Sequence, residues 1–134
     1  MLWWLYDFID SSFWYVLFKP SEKLHYKALE LFEIYEEVSS IKVINSLVLS
    51  ETLNKSNRFK LSPNEIFGIF KDSVDIVYLS KIDYLKALSL NNYYNDAINY
   101  SDCLILKTMM DLKINTIISF DSDFDKINGI NRIS

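Results

Sequence analysis

Two rhythms of hydrophobic residues alternate along this chain. Short apolar runs at 3–9, 42–44, 74–78, 116–119 and 130–133 read as β-strands. The stretches between them place apolar residues three and four apart, as helices do. The first run, Trp3-Trp4-Leu5-Tyr6-Asp7-Phe8-Ile9, is apolar on both faces, the mark of a buried parallel strand. Asp10 ends it, Ser11 or Ser12 is placed to cap a short helix Phe13–Phe18, and Pro20 stops that helix. A longer helix follows from about Glu22 to Val38, with Leu24, Ala28, Leu31, Phe32 and Tyr35 on one face. Further helices are expected from about Ser46 to Phe59, from the capping box Ser62-Pro63-Asn64-Glu65 to Lys71, after Ser80-x-x-Asp83 (carrying Ile82, Leu85 and Leu88), and from the cap Asn99 to about Leu112. Strands alternating with helices predict an α/β fold with a mainly parallel central sheet of four or five strands flanked by helices. In such sheets ligands bind beyond the carboxyl ends of the strands, where strand order reverses.

Composition narrows this picture. A chain of 134 residues, half of them hydrophobic, is long enough for one well-cored domain. The absence of repeats or composition shifts predicts a single domain over 1–134. The apolar opening Met1–Phe18 resembles a signal or membrane segment only superficially, because it lacks a basic start and carries Asp7 and Asp10. No membrane association is expected. The single cysteine fits a reducing, cytoplasmic setting. A net charge of −4 argues against a broad basic surface for nucleic acid. It leaves open an enzyme whose metal ions supply positive charge locally.

Four acidic residues stand out from the apolar pattern. Asp10 and Asp121 directly follow apolar runs and so sit at strand ends; if the first and fourth strands are neighbours, the two carboxylates meet. Glu51 shares a helix face with Leu47 and Val48, and Asp102 heads the stripe Ile105, Leu106, Met109. A carboxylate aimed at a core is costly unless it is paired or holds a metal. Taken alone, Asp102 also fits a plainer role, because Asn99 to Asp102 has capping-box spacing. No His or Cys lies at ligand spacing, which disfavours zinc, and hard oxygen donors favour Mg²⁺ or Mn²⁺. Such ions activate a bound water and stabilise charge on a phosphoryl oxygen, and a pair of them clamps both ends of an in-line displacement.

The segments around these acids, Asp10-Ser11-Ser12-Phe13, Leu49-Ser50-Glu51-Thr52-Leu53-Asn54, Ser101-Asp102-Cys103 and Ser119-Phe120-Asp121-Ser122-Asp123-Phe124, resemble the successive acidic motifs of PIN-domain ribonucleases. The VapC-type toxins of toxin–antitoxin systems are the nearest in length, and the resemblance also takes in Lys19-Pro20-Ser21, His25 and Ala28. It implies a PIN-like domain and a metal-dependent RNA endonuclease in which Asp10, Glu51, Asp102 and Asp121 bind Mg²⁺ or Mn²⁺. Ser12 and Ser119 would then orient a carboxylate or a metal-bound water. It further implies a homodimer, a small cognate antitoxin, and products with a 5′-phosphate and a 3′-hydroxyl. The chain departs from the family where Cys103 replaces a common Ala and where the stretch 93–99 lacks a frequent Gly. Asp7 competes for the first carboxylate, though it faces the other way along its strand. Asp123 competes for the last, or joins it as a supporting residue.

Other residues read more plainly. His25 is expected to be a packing or surface residue of the second helix rather than a catalytic base, and Cys103 to fill a small core position. Lys55, Arg58 and Lys60 fit either a phosphate-contacting rim or a solvated helix end, and Tyr93, Tyr94 and Tyr100 fit either base stacking or packing. A receiver-type phosphorylation switch is disfavoured because Ser80 follows the third strand and the Lys needed after the last one is missing. A housekeeping RNA-processing PIN nuclease and a catalytically idle PIN-fold binding module are the alternatives to a toxin.

Overall fold

A computed structural model describes residues 6–38 and 40–134. Five parallel strands, β1 (Tyr6–Ile9), β2 (Ile41–Asn45), β3 (Asp75–Val77), β4 (Thr116–Ile118) and β5 (Asn131–Ile133), form one sheet in the order β3-β2-β1-β4-β5. The expected positions 3–5 of the first strand lie outside the described residues. β1 is central, and the chain builds first to one side of it and then to the other. The reversal therefore falls between β1 and β4, where ligand crevices open in parallel sheets. Phe8 and Ile9 pair with Ile117 and Ile118. That register brings the residues after both strands, Asp10 and Ser119–Asp121, to one edge.

Six α-helices connect the strands: α1 (Ser11–Phe18), α2 (His25–Glu37), α3 (Ser46–Asn54), α4 (Pro63–Ser73), α5 (Lys81–Tyr93) and α6 (Tyr100–Leu112). None among the described residues is long and apolar enough to cross a membrane. Both expected capping boxes are present, Ser62 with Glu65 and Ser80 with Asp83. The core gathers the sheet's apolar residues with Trp14, Phe70, Ile105 and Met109. Trp14 is fully buried, with the Phe70 ring edge-on at 4.8 Å.

Four local differences from the sequence pattern matter. Asp10, not Ser11 or Ser12, caps α1 by accepting a bond from the Phe13 N–H, which frees both serine hydroxyls for other partners. α2 begins at His25, three residues after the expected start, because 20–24 turn after Pro20. α3 ends at Asn54 and gives way to a 3₁₀ turn at Ser56–Arg58, in a polar stretch of weak helix formers. Finally, α5 turns Ala87 inward against the core and leaves Ile82, Leu85 and Leu88 about half exposed. His25 and Cys103 are buried packing residues as expected, with His25 Nδ1 3.0 Å from the Val16 carbonyl.

Candidate metal centre

Asp10 is almost wholly buried, and both its oxygens are engaged. Oδ1 accepts the Ser12 hydroxyl (2.6 Å) and Oδ2 accepts the Ser119 hydroxyl (2.8 Å). Those serines in turn tie down the opposite strand end. Ser12 Oγ accepts the Phe120 N–H (3.0 Å) and Ser119 Oγ accepts the Asp121 N–H (2.9 Å). One network thus fixes the ends of β1 and β4 against each other. Arg132 on β5 braces it from behind by donating to the Ser119 carbonyl at 3.1 Å. Asp121 Oδ1 accepts the Asp123 N–H at 2.9 Å and so caps the next turn.

The helices bring the other two acids. Ser11 donates to Glu51 Oε1 at 3.2 Å, joining the first turn of α1 to the middle of α3. Asn99 caps α6 by accepting the Asp102 N–H at 2.8 Å. Asp102 does not stop at the capping role, because its Oδ2 is buried and has no hydrogen-bond partner among the described residues. Burial of an unpaired carboxylate oxygen costs free energy that a packing role does not explain. Ligand oxygens of Asp102, Asp121 and Asp123 all lie within 4.8 Å of one another. Asp123 therefore belongs to the cluster directly, although it also pairs with Lys126 at 2.8 Å. Asp7 does not belong: it accepts the Ser40 hydroxyl at 2.6 Å and sits 3.6 Å from Lys42 Nζ, with no partner at the centre.

The electrostatics register this crowding. Burial, followed by the charges of Asp121, Asp10, Asp123 and Glu51, raises the Asp102 carboxyl from 3.8 to about 7. Burial raises Asp10 to about 6 against the lowering pull of the Ser12 and Ser119 hydroxyls. Carboxylates so placed repel one another unless a cation intervenes. An all-oxygen donor set with an orphaned buried oxygen suits a hard divalent cation.

The PIN domain family profile matches residues 8–130. This chain belongs to the PIN domain family. Among solved structures it resembles the VapC20 toxin of Mycobacterium tuberculosis, described as cleaving the sarcin-ricin loop. That match has a TM-score of 0.75 at 19% identity and covers 90% of this chain and 93% of the other. It also resembles VapBC2 from Rickettsia felis bound to a promoter DNA fragment (TM-score 0.68, 16% identity, 96% and 97% covered). A third likeness is a toxin–antitoxin complex from Klebsiella pneumoniae (TM-score 0.69, 16% identity, 96% of each chain). No curated protein matches the sequence. At these identities the structures share the PIN fold with this chain.

Two positioning residues escaped the sequence reading. Asn45, fully buried at the end of β2, caps α3 through the Val48 N–H (3.1 Å) and donates to Thr108 Oγ1 on α6 (3.0 Å). It sets the helix of Glu51 against the helix of Asp102. Its position just before Ser46, at a helix start, was the available signal. Ser11 was considered only as a cap. Tyr100, read as fitting either base stacking or packing, donates its hydroxyl to the Tyr84 carbonyl (2.8 Å). Where the family's Gly is missing, Asn95 and Asp96 take the left-handed backbone instead (φ 51 and 62°).

Proposed function

We propose that this protein is a Mg²⁺- or Mn²⁺-dependent RNA endonuclease and the toxin of a toxin–antitoxin pair, with Asp10, Glu51, Asp102 and Asp121 as its catalytic carboxylates and Asp123 beside them. The observation that carries this reading is the buried Oδ2 of Asp102, without a hydrogen-bond partner among the described residues, on a carboxylate grouped with those of Asp121 and Asp123. A divalent cation held there supplies a water of lowered pKa and positive charge against a phosphoryl oxygen. The chain's own part is positional. Ser12 and Ser119 hold Asp10 in one orientation with bonds at 2.6 and 2.8 Å, and Ser11 holds Glu51. Ser12 and Ser119 donate their hydroxyl protons to Asp10 and accept backbone N–H groups, which fixes both serines and Asp10 in place. The proposed nucleophile is solvent water. The carboxylates bind and orient, and no protein-bound intermediate forms.

A toxin role is supported by the fold shared with VapC20 and with the two toxin–antitoxin complexes. A small antitoxin is the expected partner, and the cytoplasm the expected setting. A homodimer is supported by the exposed row Ile82, Leu85, Leu88 on α5, an apolar helix face that a second copy of the chain would cover. The test is incubation of purified protein, freed of antitoxin, with a panel of total RNA and tRNA in Mg²⁺, Mn²⁺ or EDTA, beside Asp102→Asn. Discrete metal-dependent products absent from the Asn variant are expected. Cleavage that survives EDTA, or that Asp102→Asn leaves intact, contradicts the proposal.

A further inference from the structure

One turn along from the acidic centre the charge reverses. Ser11 and Glu51 meet at the centre; four residues further on, Tyr15 on α1 meets Lys55 at the end of α3, with Lys55 Nζ 4.9 Å from the Tyr15 ring centroid. Lys19 also reaches this ring (5.3 Å to the centroid) and donates to the Tyr15 hydroxyl at 3.1 Å. Arg58 on the 3₁₀ turn shares the lining of a cavity with Lys19, and the two cations lower the pKa of the Tyr15 hydroxyl. Phe59 backs the tyrosine edge-on at 5.4 Å. Beside them lies a cavity of about 290 Å³ lined by Lys19, Pro20, Ser21, Arg58, Phe59 and Lys60.

On a chain of net charge −4 this is a dense gathering of cations. Glu22 lies 3.7 Å from Lys19 in a partly exposed pair, and Glu51 precedes Lys55 by one helical turn. Exposed ion pairs contribute little, so Glu22 is easily displaced by a stronger anion. Tyr15 is poorly placed to stack on a base, because cations already stand against its ring. Its role is to hold long, flexible cations where they would otherwise pay entropy on binding.

We propose that Lys19, Lys55 and Arg58, gathered around Tyr15, form a phosphate-binding site for the RNA backbone, seating the strand on one flank of the metal centre. The proposal rests on the nuclease reading. It adds residues that lie outside the acidic motifs and that bind substrate without touching the reacting phosphate. Spacing suits this role: one helical turn, about 5.4 Å, separates the Ser11–Glu51 contact from the Tyr15–Lys55 contact. A strand held at the centre thus brings a flanking phosphate to the cations. Tyr15 is a positioning residue, acting through the lysines and Arg58.

The experiment is anisotropy of a short labelled single-stranded RNA in EDTA, which stops cleavage, with KCl raised from about 50 to 200 mM. It compares wild type with the triple variant Lys19→Ala/Lys55→Ala/Arg58→Ala. Removing one cation that neutralises a phosphate lowers the slope of log K against log salt by about 0.7 for a single strand, so the triple variant should show a slope shallower by about 2. With Mn²⁺ restored, its KM for RNA should rise about tenfold or more while kcat stays within about twofold, the pattern expected when uniform binding is removed. Tyr15→Phe should weaken binding a few-fold with the slope and melting temperature unchanged, since the cations remain but lose an anchor. A triple variant that keeps its fold, its salt slope and its KM overturns the proposal. An unchanged slope accompanied by a loss of inhibition by an antitoxin overturns it too and gives the cluster to a protein. Wild-type protein that binds RNA with the steep slope but cuts nothing in any metal defeats the nuclease reading alone, and the triple variant's shallower slope then still supports the phosphate site.

Discussion

Replacing Asp102 by Asn removes one charge from a crowded anionic centre, and the sign of the stability change depends on whether a cation is present. The folded carboxyl is raised to about 7 from 3.8, so the folded state holds that proton more tightly than the unfolded chain does. The resulting stabilisation is complete below the unfolded value and is lost as the pH rises through about 7. A difference of that size corresponds to roughly 4 kcal/mol, which solvent at the open side of the cluster cuts to roughly 2 kcal/mol. At pH 8 in EDTA the Asn variant, which never carries the charge, should therefore be the more stable protein. For a chain of this length the gain is roughly 6–10 °C in melting temperature. At pH 5, where the folded carboxyl is protonated and the unfolded one is not, the difference should shrink to roughly a third of that at pH 8. Saturating Mn²⁺ should invert the order at pH 8: a ligand at a hundred times its Kd stabilises the wild type by about 2.7 kcal/mol, and the variant gains little. Thermal melts by circular dichroism at the two pH values, with EDTA and then with Mn²⁺, read all of this. An Asn variant less stable than wild type at pH 8 in EDTA would refute the reasoning, because it would mean that the Asp102 carboxylate is paired within the protein rather than left for a cation.

Three other substitutions probe the supports of the centre. Ser119→Ala removes the donor to Asp10 and the acceptor for the Asp121 N–H; chemical denaturation should show a loss of about 1–3 kcal/mol. Mn²⁺ titration of the same variant should show affinity down about 10–100-fold, as for other residues that orient metal ligands. Asn45→Ala strips the cap from α3 and the link to α6, and should cost about 2 kcal/mol or more in denaturant while lowering activity at saturating RNA. Leu85→Glu sets a charge in the exposed row of α5 and should convert a dimer to a monomer by light scattering with the melting temperature of the protomer little changed; a dimer that persists removes α5 from the interface.

Much of the site was legible because its signals are local. Asp10 and Asp121 follow apolar runs, and the condition set for their meeting, that the first and fourth strands are neighbours, is met by the β1–β4 pairing. Asp102 and Glu51 were marked by polarity on an otherwise apolar stripe. What stayed hidden depends on tertiary geometry. Asp10, Ser11 and Ser12 are all good cap residues, and only the end of β1 decides that Asp10 caps and the serines bond elsewhere. Periodicity shows that α5 has an apolar face, but not that Ala87 faces the core while Ile82, Leu85 and Leu88 face outward. Lys55 and Arg58 were legible as a candidate rim. Their convergence with Lys19 on Tyr15 joins segments about forty residues apart, and no spacing rule reveals it.

In the proposed reaction, solvent water activated at the carboxylate cluster attacks the phosphodiester. End-group analysis of the products from a labelled RNA cut by the wild-type protein in Mn²⁺ tests it most directly. A 5′-phosphate and a 3′-hydroxyl are expected, with no product in EDTA. A 2′,3′-cyclic phosphate would contradict it, because the RNA's own 2′-hydroxyl would then be the nucleophile and the carboxylate cluster would have no water to direct.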